Sequence, residues 1–215
     1  MTDYNKAATK AAETLIKYGI CKTPVSPLPI LQGMENVIVV SFEEISTISE
    51  MNRSDVTELF GKCKDAFSSI HTKSGTSVYI VAYNAMLPFN MLQRALAREM
   101  GHIVLGHTDR TQENETEAQC FAEHLLCPRP MIHTMQVLSM RLTDDFIGNL
   151  TGIYHQYLIA LRKTPGCQVP AKLNKFVRNQ FLPFIMNIFE YYRDVKPQDG
   201  SALVDFGTYM DNYEE

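Results

Sequence analysis

Residues 96–126 read LAREMGHIVLGHTDRTQENETEAQCFAEHLL, and the plan of the chain follows from how this stretch is divided. Met91, Leu92, Ala95, Leu96, His102 and Ile103 fall near one stripe at helical spacing, which predicts a helix over Phe89–Leu105 with Gly106 as its stop. Ala118, Phe121, Ala122 and Leu125 form the inner face of a second helix over Glu113–Leu126, closed by Pro128 and Pro130. Polar residues accompany both stripes. Glu99 and His102 lie on the first helix, and Glu115 and Gln119 share a face of the second at i,i+4. Glu117 lies about 200° round that helix from Glu115, so it is expected to point elsewhere.

Upstream, the pattern changes period. Asp3 to Tyr18 reads as a helix, with Ala7, Ala11 and Leu15 at i+4 and Gly19 as a stop. A proline-rich loop follows, and Ile30 to Met34 suggests a helical turn. The β-branched run Asn36 to Phe42 predicts a buried strand. Ser46 to Gly61 is ambiguous. Asp65–Thr72 and Ser77–Tyr83 read as two strands, with Ser74-Gly75 as the turn of a hairpin. Downstream of Met131 everything reads as helical. Leu173, Phe176, Val177, Phe184 and Ile188 make one stripe, bent or interrupted near Pro183. The organisation is therefore α+β: a small sheet, two polar-marked helices and a C-terminal helical extension. The expected division is 1–130 and 131–215.

Composition narrows the partners. The 215 residues are 45% hydrophobic and 20% charged, so a globular core is expected rather than disorder. A net charge of −4 argues against bulk attraction to nucleic acid or anionic membrane. The basic stretch Arg162, Lys163, Lys172, Lys175, Arg178 is expected to be a solvated helix face. No signal core precedes the first helix, and no apolar run is long enough to span a bilayer. The five cysteines form no CxxC pair, consistent with reduced thiols in a cytoplasmic protein.

The chemistry lies in residues 98–102, Arg-Glu-Met-Gly-His. In an HExxH helix two histidines one turn apart hold zinc, and the glutamate beside the first acts on the metal-bound water. A carboxylate from a following helix often completes the protein's ligands. The chain reads REMGHIVLGH and then E-T-E-A-Q-C-F-A-E-H-L-L-C-P. It resembles the ImmA/IrrE family of metallopeptidases, written HELGHxxLGH and then E-x-x-A-N-x-F-A-x-x-L-L-x-P. The NVIVVSF and IVAYN strands fit the same resemblance, which covers roughly the first two-thirds of the chain. It implies a zincin-like fold, with His102 and Glu115 as zinc ligands and Glu99 as general base. It also places the strand Ser77–Tyr83 by the cleft, able to pair with an extended peptide. The implied substrate is a DNA-binding repressor of a phage, an integrative element or a stress regulon, cleaved or inactivated without direct contact with nucleic acid.

Two positions depart from the family pattern. Gln119 replaces asparagine and keeps the amide. Arg98 replaces the first histidine, and a guanidinium cannot ligate zinc. A cation about 4 Å from a zinc dication is opposed by roughly 8 kcal/mol at an effective dielectric of 20. His71, His107, Cys120 and His124 are the other donors within reach of the motif by sequence. His107 lies beyond the Gly106 stop, where a helix-ending role is expected, and Cys120 reads as a packed thiol. Two functions follow. One is a zinc endopeptidase with a third ligand from elsewhere; under either function Arg98→His should sharply raise zinc affinity if the helix pair keeps its geometry. The other is a metal-free pseudopeptidase that binds a regulatory protein without cleaving it, with Arg98 paired to Glu115 in place of the metal's charge.

Overall fold

The computed structural model describes residues 2–59, 64–73, 76–153 and 167–194, and every structural statement below concerns those. Two compact units are present. The first comprises residues 1–2 and 26–122, and the second comprises 3–25 and 123–215.

In the first unit α2 (Pro27–Gln32) leads into β1 (Val37–Ser41), α3 (Phe42–Ser49) and α4 (Arg53–Leu59). The hairpin strands β2 (Ala66–Lys73) and β3 (Thr76–Tyr83) follow, then α5 (Phe89–Leu105) and α6 (Gln112–Leu126). β2 and β3 pair antiparallel from Ala66↔Tyr83 to Lys73↔Thr76, as the hairpin reading requires. The expected turn, Ser74-Gly75, lies outside the described residues. β1 joins the other side of β3 in parallel, from Val37↔Tyr79 to Ser41↔Tyr83, so the sheet order is β1-β3-β2.

That order corrects two expectations. β1 is an edge strand and not a buried one: Ile38 is 55% exposed, and Val37, Val39 and Val40 are only partly buried. β3 is central, with Val81 and Ala82 buried, so its hydrogen-bonding edges are taken and it cannot receive a peptide strand. The edge beside α5 belongs to β2.

The ambiguous stretch resolves into α3 and α4. A capping box starts α3: Ser41 Oγ accepts from the Glu44 amide at 3.1 Å, and the Glu44 carboxylate accepts from the Ser41 amide at 2.6 Å. These hydrogen bonds hold the Glu44 carboxyl below its ordinary range. Phe42, Val56 and Ala82 then bury together against Val40, Ile45 and Met51.

The second unit holds α1 (Tyr4–Lys17), the end of α6, α7 (Arg129–Val137), α8 (Asp144–Thr151) and α9 (Ala171–Asp194). α1 carries a face of small residues, Ala7, Ala8 and Ala11, all buried beside Leu15. α9 packs on α1 and α7. Gln180 of α9 donates from its amide to the carbonyl oxygens of Leu15, at 2.8 Å, and Ile20, tying α9 to the C-terminal end of α1 and the residues after it. The compact units therefore do not follow the 1–130 and 131–215 division. The N-terminal helix joins the C-terminal ones because its alanine face lets a helix approach closely.

α9 runs on through Pro183, with Val177, Phe181 and Ile185 buried at i+4 spacing. Phe176, expected in that stripe, is 52% exposed. Lys172, Lys175 and Arg178 lie on its exposed face, as expected, while Arg162 and Lys163 fall outside the described residues. Cys21, Cys120, Cys127 and Cys167 are not disulfide-bonded, and burial pushes the Cys127 thiol up to about 12. No described helix is long and apolar enough to cross a membrane.

Candidate functional site

The site begins where α5 and α6 touch. A Cβ on Gly101 would lie 2.9 Å from the Ala118 carbonyl oxygen, 3.0 Å from its Cα and 3.1 Å from Phe121. Only glycine permits this approach, and it sets His102 of α5 beside Glu115 of α6, with Nε2 3.4 Å from Oε1. Gly106 ends α5 at φ +75, the left-handed conformation glycine adopts freely. The chain then folds back, and the His107 amide donates to the His102 carbonyl at 2.9 Å.

Glu99, His102 and Glu115 are thus brought together, but inside a network of arginines. Glu99 is fully buried. Its carboxylate accepts from Arg98 Nη2 at 2.8 Å, from Arg110 Nη2 at 2.6 Å and from Ser68 Oγ at 2.8 Å. Glu115 accepts from Arg98 Nη1 through Oε2 at 3.2 Å and from Arg110 Nη1 through Oε1 at 3.3 Å. The expected Arg98–Glu115 pair is present, and a second guanidinium joins it. Two carboxylates and two guanidiniums balance in charge around Glu99, the one fully buried member. The arginines also donate to main-chain carbonyls of the β2 edge, Arg98 to Ala66 at 3.3 Å and Arg110 to Ser68 at 2.8 Å. Arg110 stacks over the Phe67 ring at 4.9 Å.

On the opposite side a chain of acceptors and imidazoles runs from Glu117 to Glu115. His107 Nε2 lies 3.2 Å from Glu117 Oε2, and His107 Nδ1 lies 3.1 Å from His102 Nδ1. A carboxylate can only accept, so a neutral His107 carries its proton on Nε2. Its Nδ1 is then an acceptor, and His102 must donate from Nδ1. The lone pair of His102 Nε2 is left facing the Glu115 carboxylate, and that buried nitrogen makes no hydrogen bond. Glu117 does not share the Glu115 face, as expected, yet it reaches His102 from behind through His107.

Burial lowers the pKa of His102, and the Arg110 charge lowers it further, to about 4. Burial raises that of Glu115, but the charges of His102, Arg98 and Arg110 outweigh it and the net shift is downward. Arg110 is held protonated by its bonds to Glu99 against the cost of its burial. Unfolded, His102 takes a proton near 6.5, and folded it does so near 4. Between those values the unfolded chain binds more protons, so stability falls as pH drops, by up to about 1.4 kcal/mol per unit for one proton. Urea unfolding followed from about pH 7 down to about pH 4.5 should show this slope, and His102→Gln should reduce it by its own share, leaving that of the buried His124. A profile flat in the unmodified protein would contradict the burial of a neutral His102.

The fit to zinc divides. His102 Nε2 and Glu115 Oε1 converge as two metal ligands would. Arg98 and Arg110 do not fit, because both place positive charge on the carboxylates a metal would need. As the residues stand, the cluster does not fit zinc, and no hydrolytic step is assigned to it. His71, exposed on β2, is bonded to Ser69 Oγ at 3.1 Å and supplies no substitute ligand. Gln119, expected beside Glu115, accepts instead from Arg94 at 2.7 Å. Elsewhere on α6, Cys120 and His124 are buried one turn apart. Within the second unit His124 is hydrogen-bonded to Cys167, and burial holds its imidazole neutral. Thiols and imidazoles are donors of the kind that hold a metal ion.

Sequence reasoning missed Ser68 and Arg110. Ser68 sits in the middle of a strand, and Arg110 sits in the loop between α5 and α6, outside any periodic pattern. His107 was assigned a helix-ending role; its contact with His102 depends on the left-handed turn at Gly106. Comparison with family models, with curated proteins and with solved structures finds no match to this chain.

Proposed function

We propose that this chain is a metal-free, peptidase-like binding protein that holds a segment of a regulatory protein without cutting it. The observation that carries the reading is the placement of Arg98. Its guanidinium bonds both Glu99 and Glu115, the residues that the ImmA/IrrE resemblance assigns to general base and metal ligand. A carboxylate so bonded is neither free to accept a proton from water nor free to ligate. By the same resemblance the partner is a DNA-binding repressor, and this chain acts on that protein and not on the nucleic acid.

The alternative, a zinc endopeptidase, draws support from the unbonded His102 Nε2 facing Glu115. It requires both arginines to leave and a third ligand to arrive. Elemental mass spectrometry of the purified protein separates the two. The expected result is substoichiometric zinc, unchanged in Glu115→Ala. Near-stoichiometric zinc that is lost in Glu115→Ala would sink the binding-protein reading and direct the search to a cleaved repressor.

A further inference from the structure

Arg98 and Arg110 both touch Glu99 and Glu115, but they hold different oxygens of Glu115. Arg98 bonds Oε2, while Arg110 bonds Oε1, the oxygen that faces His102 Nε2. Arg110 also has the shorter contact with Glu99, 2.6 Å against 2.8 Å, and donates to the carbonyl and hydroxyl of Ser68 at 2.8 and 3.0 Å. It comes from the loop between α5 and α6, so it reaches the cluster from outside both helices.

We infer that Arg110 is a built-in replacement for a divalent cation, its guanidinium masking the donor pair His102 Nε2 and Glu115 Oε1 that would otherwise bind one. The inference rests on the metal-free reading above and goes beyond it, because it assigns the block to a loop residue outside the family motif. The pair behind the mask is already oriented. Glu117 fixes the proton of His107, His107 fixes that of His102, and the Nε2 lone pair is presented without a hydrogen bond. Glu115 is set opposite by the Gly101 contact.

A consequence separates this from the view that Arg98 alone disables the site. Arg98→His adds a ligand but leaves the Arg110 charge on Oε1, so that substitution by itself does not restore metal binding. Arg110 must go as well. Arg110→Met removes the charge while keeping a stem over Phe67.

The test is a zinc titration by calorimetry, paired with thermal unfolding with and without zinc, on the unmodified protein, Arg98→His and Arg98→His/Arg110→Met. The double variant should bind zinc at least about 100-fold more tightly than Arg98→His, a conservative reading of repulsion between a guanidinium and a dication. Its melting temperature should rise on adding zinc. Adding Glu115→Ala should abolish the uptake, which excludes binding at Cys120 or His124. Should the double variant unfold without metal, a folding transition that appears only with zinc gives the same support. Arg98→His binding zinc as tightly as the double variant would overturn the role of Arg110 and leave the metal-free reading of the unmodified chain intact. Failure of the double variant to take up zinc, or uptake that survives Glu115→Ala, would also overturn it. Stoichiometric zinc at Glu115 in the unmodified protein would overturn both readings.

Discussion

Arg110→Ala lowers the stability of the folded chain by roughly 3 kcal/mol, the lower end of what removing one partner of a buried ion pair costs. The reason is Glu99, which is fully buried and has its closest charged contact, 2.6 Å, with Arg110. Arg98 and Ser68 remain to it, so the carboxylate is not stranded, and the loss stays below the upper end of the range. Glu115 loses a partner at the same time, as does the Ser68 carbonyl. A second substitution distinguishes lost charge balance from lost packing over Phe67. Glu99→Gln made in the Arg110→Ala background should recover about half the loss, because the amide no longer needs a cation. Urea unfolding of the two single variants and the double completes the cycle. An Arg110→Ala protein within about 0.5 kcal/mol of the unmodified one would show that the network contributes little to stability.

Gly101→Val has a comparable effect by a different route, about 3 kcal/mol, at the upper end for overpacking. The first atom of any side chain there meets backbone, the Ala118 carbonyl oxygen at 2.9 Å, and backbone cannot rotate away. Alanine would regain up to about 1 kcal/mol of helix propensity and offset part of the clash, whereas valine adds bulk without that gain. The helices must separate, and the His102–Glu115 pair separates with them. The readout is therefore double: a lower urea midpoint, and loss of the acid dependence that the buried His102 confers. Unchanged stability in Gly101→Val would mean that α5 and α6 do not cross at this residue.

The elements that carry the site were legible before the structure. α5 and α6 announce themselves by long apolar stripes with a glycine or proline stop, signals that depend on neighbours three and four apart. The hairpin β2–β3 was legible too, from two strand-like runs either side of the Ser-Gly turn signal. α3 and α4 were not, since each is about two turns long and the decisive feature is a cap, Ser41 with Glu44, and not a stripe. The place of β1 and β3 in the sheet was misread because strand order is set by pairing between segments 42 residues apart, and composition reports only how apolar a strand is. Val81 and Ile38 both sit in apolar runs, yet one is buried and the other half in water.

The pairing of Arg98 with Glu115 was an inference from charge alone, since a guanidinium in a ligand's position must neutralise something. That Glu99, His102 and Glu115 belong together is what the ImmA/IrrE resemblance implies, since spacing fixes residues only along each helix. Which cation they meet lies outside that resemblance. Arg110 is eleven residues from Glu99, in a loop that owes its path to the left-handed turn at Gly106 and to the free carbonyl edge of β2. Sequence alone determined the two helices, the carboxylates and the histidine. Tertiary structure decided that a loop arginine shares them, because Coulomb attraction and edge hydrogen bonds act through space, where periodicity along the chain has no reach.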